Sequence, residues 1–162
     1  GGLGGLQLTE RSPETVYVKD YDDDGEKPQD WAGQFNVTTW GFFLATYQGE
    51  PCGGAAVAFR TNGVNMLEGR DDLGVLWDIR VHPNHTRKRV GSLLFRHALG
   101  WLRAQGAREM KIETQNVNVP ACKFYRAQGC QLKSIISNAY QDDPKVAHEV
   151  QLLWYRQVEP DD

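Results

Sequence analysis

Residues 75–106, VLWDIRVHPNHTRKRVGSLLFRHALGWLRAQG, constrain the fold more than any other stretch of the chain. VLWDIRV, dense in Val, Leu, Trp and Ile with few breaks, suits a strand covered on both faces. From Lys88 to Gln105 the apolar residues Val90, Leu93, Leu94, Ala98, Trp101 and Leu102 recur at helical spacing, and Gly106 supplies a stop. A strand that must be covered and a helix with one apolar face to bury, joined by a short loop, commit the chain to layered α/β architecture.

The flanking sequence extends that order. WGFFLATYQGE and PCGGAAVAFR meet at Gly49-Glu50-Pro51, which is hairpin chemistry between strands near 40–48 and 52–60. EMKIETQ reads as a strand, and NVPACKFYRAQGC as a helix with Pro120 in its first turn and Gly129 past its end. CQLKSIISNAY and EVQLLWYRQV read as two further strands joined across QDDPKVAH. With 162 residues, one domain with a single core is expected. Residues 1–6, GGLGGL, read as an expression remnant or a frayed terminus. Residues 7–39 read as an irregular segment with short helical turns, because acids, Pro and Gly are scattered through it.

Charge is unevenly placed. The net charge is -3, yet residues 86–111 hold seven bases against Glu109 alone, while residues 1–50 hold nine acids against Arg11, Lys19 and Lys27. An acidic balance argues against a protein that coats nucleic acid, so the basic cluster is a local feature that expects an anion. Cys52, Cys122 and Cys130 are an odd set without metal-ligand spacing, which predicts neither a disulfide framework nor a metal site and fits a reducing cytoplasm. No apolar run reaches the roughly 18 residues of a membrane span, so no membrane role is expected.

A strand ending at Val81, a short loop and a helix beginning near Lys88 place unpaired helix N–H groups where they face an anion. Arg87, Lys88 and Arg89 add full charges, Gly91 allows close backbone approach and Ser92 offers a hydroxyl. Solvation alone explains the three bases poorly, since cations at this end oppose the helix dipole. The mononucleotide motif G-x-x-x-x-G-K-S/T and the dinucleotide motif G-x-G-x-x-G are both absent.

VLWDIRVHPNHTRKRVGSLLFRHAL resembles the central strand, pyrophosphate loop and helix of the GNAT superfamily of acetyl-CoA-dependent N-acetyltransferases. Aligning the superfamily's loop signature, Q/R-x-x-G-x-G/A, on Gly91 puts Thr86 and Arg89 in place of the first polar residue and the first glycine. Arg89 fits the glycine's place if its φ stays negative, because the amide more than the side chain is what a diphosphate needs. N-x-x-A-x-x-x-Y-x-x-x-G, through Asn118, Ala121, Tyr125 and Gly129, is similar to the superfamily's later helix. In detail ETQ, ACKFY and the terminal LLWY resemble the streptothricin acetyltransferases, which acetylate an amine of an antibiotic. The resemblance runs over residues 40–157. It implies a mixed, mostly antiparallel central sheet flanked by helices.

The same resemblance implies acetyl-CoA as cosubstrate and a small-molecule amine as acceptor. Ile79, Arg80 and Val81 match the backbone that pairs with the pantetheine arm, Arg87 to Ser92, Val90 included, match the pyrophosphate loop, and Tyr125 matches the general acid. Asn118 qualifies both as helix cap and as cofactor contact. Asp78 and Glu113 both qualify as base for the incoming ammonium, with Arg80 or Lys111 as partner if either carboxylate is buried. His82 and His97 qualify by chemistry, although His97 sits in an amphipathic helix. Two readings stand beside this one: a catalytically silent acyl-CoA-binding module, and an acetyltransferase for a protein or peptide amine. A nucleic-acid domain built on RKR is disfavoured by the acidic balance. A monomer or homodimer is expected, with 147–157 as a strand able to pair across a dimer. Asp20, Asp22, Asp24 and Gly25 reproduce half of a calcium loop, but Trp31 stands where its bidentate glutamate belongs.

Overall fold

The structure, a computed structural model, describes residues 7–21 and 26–159. A short helix α1 (Trp31–Gln34) precedes the hairpin β1 (Gly41–Tyr47) and β2 (Glu50–Phe59). Then come β3 (Leu73–Val81), α2 (Val90–Ala104), β4 (Glu109–Gln115), α3 (Val119–Ala127), β5 (Gln131–Ile136) and β6 (Gln151–Gln157). The six strands form one sheet in the order β1-β2-β3-β4-β6-β5. Every neighbouring pair is antiparallel except β3 and β4, which are parallel. The mixed, mostly antiparallel sheet flanked by helices is therefore present. The six-residue opening and the residues Asp22, Asp24 and Gly25 of the calcium-like motif lie outside the described residues. Trp31 is a core residue, 5% exposed.

Two expectations need correction. β6 lies between β4 and β5 and so has no open edge for a second copy; the sheet edges are β1 and β5. The apolar stripe of α2 is also rotated: Leu94, Phe95, Ala98 and Leu102 are buried, whereas Leu93 is 56% exposed. Phe95 takes the central place because its ring meets Phe124 and Tyr125 of α3, at 6.1 Å between centroids in both cases.

The sheet has unequal faces. Val57, Phe59, Leu76, Met110 and Ile112 pack under α2 and α3. On the other side Trp31, Trp40, Ala56, Ala58, Val64, Leu67 and Val75 form a second cluster, with Phe35 and Trp77 at its margin. Gly74 lets helix and sheet meet closely. A Cβ there would stand 2.3 Å from Leu102 Cδ2 and 2.7 Å from Leu102 Cδ1, and Leu102 has no exposed surface into which to move. Gly74→Ala should therefore cost about 1–3 kcal/mol of stability through overpacking, read as a lowered chemical-denaturation midpoint. An unchanged midpoint would show that α2 can shift on β3.

Candidate active site

Pairing between the two parallel strands ends early. Leu73, Gly74 and Val75 match Glu109, Met110 and Lys111, and no described ladder joins β3 to β4 beyond them. Each strand runs on, held by its outer neighbour: β3 stays in register with β2 as far as Val81 opposite Gly53, and β4 with β6 as far as Gln115 opposite Gln151. The result is a notch whose walls carry backbone groups without strand partners. Such groups favour an extended, peptide-like arm inserted between them. Ile79, Arg80 and Val81 lie along this wall.

A bulge sets what faces each side of the notch. Leu76 pairs with Val57 and Asp78 with Ala56, so Trp77 is an extra residue on β3. Beyond it the side-chain alternation shifts. Ile79 packs with the helix-side core, and Val81 lies 3.7 Å from where a Gly91 Cβ would stand. Asp78, opposite Ala56 of the tryptophan-rich cluster, takes the other face.

At the end of β3 the chain makes a short turn at Pro83–His85 and enters α2, whose first helical bond is donated by Leu93 N–H to Arg89 C=O. The N–H groups of Val90, Gly91 and Ser92 precede that bond and point out of the helix start. Arg87, Lys88 and Arg89 are exposed there. The Lys88 ammonium stands 5.7 Å from the Tyr47 ring centroid, and the His85 ring 5.5 Å, which seats the loop on the β1–β2 hairpin. A Cβ on Gly91 would meet Phe124 at 3.5 Å, an ordinary contact, so the floor of the loop is filled and its outer side is open. Ser92 Oγ accepts from Gln128 Nε2 at 3.0 Å, tying the start of α2 to the end of α3.

Arg89 departs from expectation. Its φ is +63° and that of Arg87 is +64°, both left-handed, where an L side chain is strained. The site where the resemblance calls for glycine thus keeps glycine's backbone shape while carrying an arginine. This strain adds to the opposing helix dipole, so the loop carries two local costs to stability, the pattern expected where a loop serves a ligand.

Across the notch stands α3. Asn118 caps it, its Oδ1 accepting from Ala121 N–H at 3.2 Å. Tyr125 is buried at 6% exposure, its ring tilted against Phe95 and edge-on to Phe124, so of the two adjacent aromatics it is the more enclosed. Burial pushes its phenol above the usual tyrosine range, and the fields of Cys130, Asp78 and Cys122 push the same way. Asp78 and Tyr125 are thus brought within electrostatic reach of each other from opposite faces of the sheet.

The two carboxylates singled out as bases differ. Asp78 accepts from Arg80 Nε at 2.9 and 3.1 Å through both oxygens. Glu113 instead accepts from the Tyr140 hydroxyl, a partner with no motif to announce it. Lys111 does not pair with Glu113; its ammonium binds Met66 C=O at 3.2 Å and Glu68 at 3.3 Å. His82 caps the turn, its Nδ1 accepting from Asn84 N–H at 3.2 Å, and exposed His97 packs edge-on to Phe43. Neither histidine is placed with the two carboxylates. Glu149, with no exposed surface, is bonded by Tyr17 and Lys19, which brings the irregular N-terminal segment onto this side of the sheet. A separate depression of about 800 Å³ within the 60–71 loop is lined by Glu68, the partner of Lys111, but by neither Asp78, Glu113, Tyr125 nor the loop before α2.

The notch between parting parallel strands is closed at one end by the start of α2 and its exposed cations, a shape and charge suited to a long arm that ends in phosphates. The Acetyltransferase (GNAT) family matches residues 7–130. The chain belongs to that family and is an acetyl-CoA-dependent acetyltransferase. It is 30% identical to the streptothricin acetyltransferase of Streptomyces lavendulae over 138 residues, 85% of this chain and 69% of that protein. The crystal structure of nourseothricin acetyltransferase is 27% identical, with a TM-score of 0.63, covering 75% of this chain and 67% of that one. A Bacillus anthracis structure described as a candidate streptothricin acetyltransferase in complex with acetyl coenzyme A shares the fold at 24% identity and a TM-score of 0.62, covering 72% and 61%. The family match begins well before residue 40, where motif resemblance starts, so it takes in the N-terminal segment as well.

Left-handed strain at Arg89 amounts to about 1–2 kcal/mol and exceeds the roughly 0.5–1 kcal/mol entropy cost of a glycine. Arg89→Gly should therefore raise the thermal midpoint, whereas Lys88→Ala should leave it near the parent value. A lowered midpoint for Arg89→Gly would show that the arginine side chain, and not the loop shape, is the stabilising element.

Proposed function

We propose that this enzyme transfers an acetyl group from acetyl-CoA to a primary amine of a small cationic molecule of the streptothricin class. The observation that carries the acceptor is the likeness to streptothricin acetyltransferases over 85% of the chain; the carboxylates on the face opposite α2 and α3 agree with a cationic guest. The enzyme works in the cytoplasm as a single domain, monomer or homodimer, without nucleic acid or membrane, and residues 7–39 shape the acceptor side.

The amides of Val90, Gly91 and Ser92 hold the diphosphate, with Arg87, Lys88 and Arg89 supplying charge. Asn118 borders the arm at the start of α3. The free edge of Ile79 to Val81 aligns the arm, and a backbone N–H there polarises the thioester carbonyl. Glu113 takes the proton from the incoming ammonium, leaving a neutral amine to attack the carbonyl carbon. Asp78 is less suited to that step because Arg80 engages both its oxygens; its role is to set the charge at the notch. The carbon–sulfur bond then breaks as the nitrogen gives up its second proton, which ends on the departing sulfur to leave the amide and free CoA thiol. Tyr125, its phenol held protonated by burial, stabilises the departing thiolate as a hydrogen-bond donor.

Thermal-shift measurements with acetyl-CoA, followed by thiol release with an amine panel that includes streptothricin, test this reading. Stabilisation and turnover of streptothricin are expected, and Gly91→Glu, which puts a carboxylate in the space of the diphosphate, should abolish both. Stabilisation without turnover of any amine would identify a silent acyl-CoA-binding module, and turnover of peptides alone would move the acceptor to protein amines. Tyr125→Phe should lower the maximal rate roughly 10²-fold with acetyl-CoA affinity nearly unchanged. A rate within twofold of the parent would make Tyr125 a packing residue and leave backbone amides and proximity to supply the catalysis.

A further inference from the structure

We propose that Tyr140 is a positioning residue for acetyl transfer, fixing the Glu113 carboxylate so that one oxygen remains open to receive the acceptor's proton. The inference rests on Glu113 as the base. Tyr140 lies on the connection between β5 and β6 and is half-buried. Its hydroxyl donates to Glu113 Oε1, and its oxygen accepts from Gln115 Nε2 at 3.3 Å. Glu113 and Gln115 are two residues apart on β4 and so share a face. The phenol is held from both sides. Its one proton is committed to Glu113 and an acceptor site is filled by Gln115, which leaves the ring little rotational choice.

The surrounding charges single out this carboxylate. Asp78 is paired with Arg80, Glu109 with Arg70 and Lys133, and Glu149 with Lys19. Glu113 has a neutral partner instead, and among the described residues no cation pairs with it. An ammonium arriving here meets a partly buried carboxylate without a described cation, whose Oε1 is occupied by Tyr140 and whose Oε2 has no described hydrogen-bond partner. The proton passes from the acceptor nitrogen to Oε2; the nitrogen keeps the electron pair that attacks the thioester. Tyr140 moves no proton. Burial raises its phenol above the ordinary range, and the bond and field of Glu113 raise it further, so it stays a donor throughout. Holding Oε1 fixes which oxygen acts and keeps the carboxylate from turning, which is how proximity becomes rate.

A double-mutant cycle tests this, using Tyr140→Phe, Glu113→Gln and the pair together, each verified as folded by its denaturation midpoint. The readouts are maximal rate with the amine the parent turns over and the Michaelis constant for acetyl-CoA. Tyr140→Phe should lose roughly tenfold or more in maximal rate with the acetyl-CoA constant unchanged. In the Glu113→Gln background the same substitution should cost nothing further, because the residue it acts through is gone. Independent, multiplying losses would overturn the positioning role, as would a Tyr140→Phe rate within twofold of the parent while Glu113→Gln is impaired. A parental rate for Glu113→Gln would overturn Glu113 as base and this inference with it, while leaving acetyl-CoA-dependent turnover intact.

Discussion

Everything at the site depends on β3 and β4 ceasing to pair after Val75 and Lys111. An unmet buried backbone group costs about 1–3 kcal/mol, so two strands this close would ordinarily zip together. They do not: the two strands part after that point while each follows its outer neighbour, β3 along β2 and β4 along β6, and the extra residue Trp77 bends β3 where the ladder has ended. The gap is therefore built before any ligand arrives. Its unpartnered backbone can pair with an extended amide-bearing arm, and the start of α2 with its unbonded amides lies at the end of β3. Gly53 secures this placement: a Cβ there would stand 2.8 Å from Arg80 C=O and 3.1 Å from Val90 Cγ1, so only a glycine lets β2, β3 and the start of α2 come together.

The bulge at Trp77 divides labour between the faces. Before it β3 feeds Leu76 to the helix-side core; after it the same strand sends Ile79 there and turns Asp78 to the opposite side. One side of the notch is thereby apolar and rigid, and the other carries carboxylates. Most of these are neutralised by arginine or lysine, which keeps the cost of holding charge near the sheet low. Glu113, bonded by a phenol, is left to attract a cation. The connection carrying Tyr140 and the N-terminal segment that reaches Glu149 through Tyr17 and Lys19 both lie on this carboxylate-bearing side.

The elements were legible because their signals are local. The apolar run at Leu73–Val81, the glycine stops at Gly106 and Gly129, and Pro120 in the first turn of α3 each report on a few neighbouring residues, and each element appears where those signals put it. The loop before α2 was legible for the same reason. What escaped was set by pairing at a distance. Nothing in EMKIETQ tells that its second half lacks β3 as a neighbour, and nothing in EVQLLWYRQV tells that it lies inside the sheet rather than at an edge. Tyr140 lies 27 residues from Glu113 in an irregular stretch, so no spacing rule connects them. The left-handed φ of Arg89 was misjudged because side-chain identity argued against a shape that the loop imposes. Helix rotation was misjudged at Leu93 because a run of adjacent apolar residues leaves the phase of the stripe open until Phe95 meets α3.

Backbone hydrogen exchange with and without acetyl-CoA tests most directly whether the notch and the start of α2 are the cofactor site. Bound acetyl-CoA should slow exchange in the peptides that contain Ile79 to Val81, whose alternate amides face away from β2 into the notch, and Val90 to Ser92, which precede the first helical bond of α2, with little change along β1 or β5. Protection confined to the 60–71 loop, or binding that leaves both stretches exchanging at their free rates, would contradict the placement.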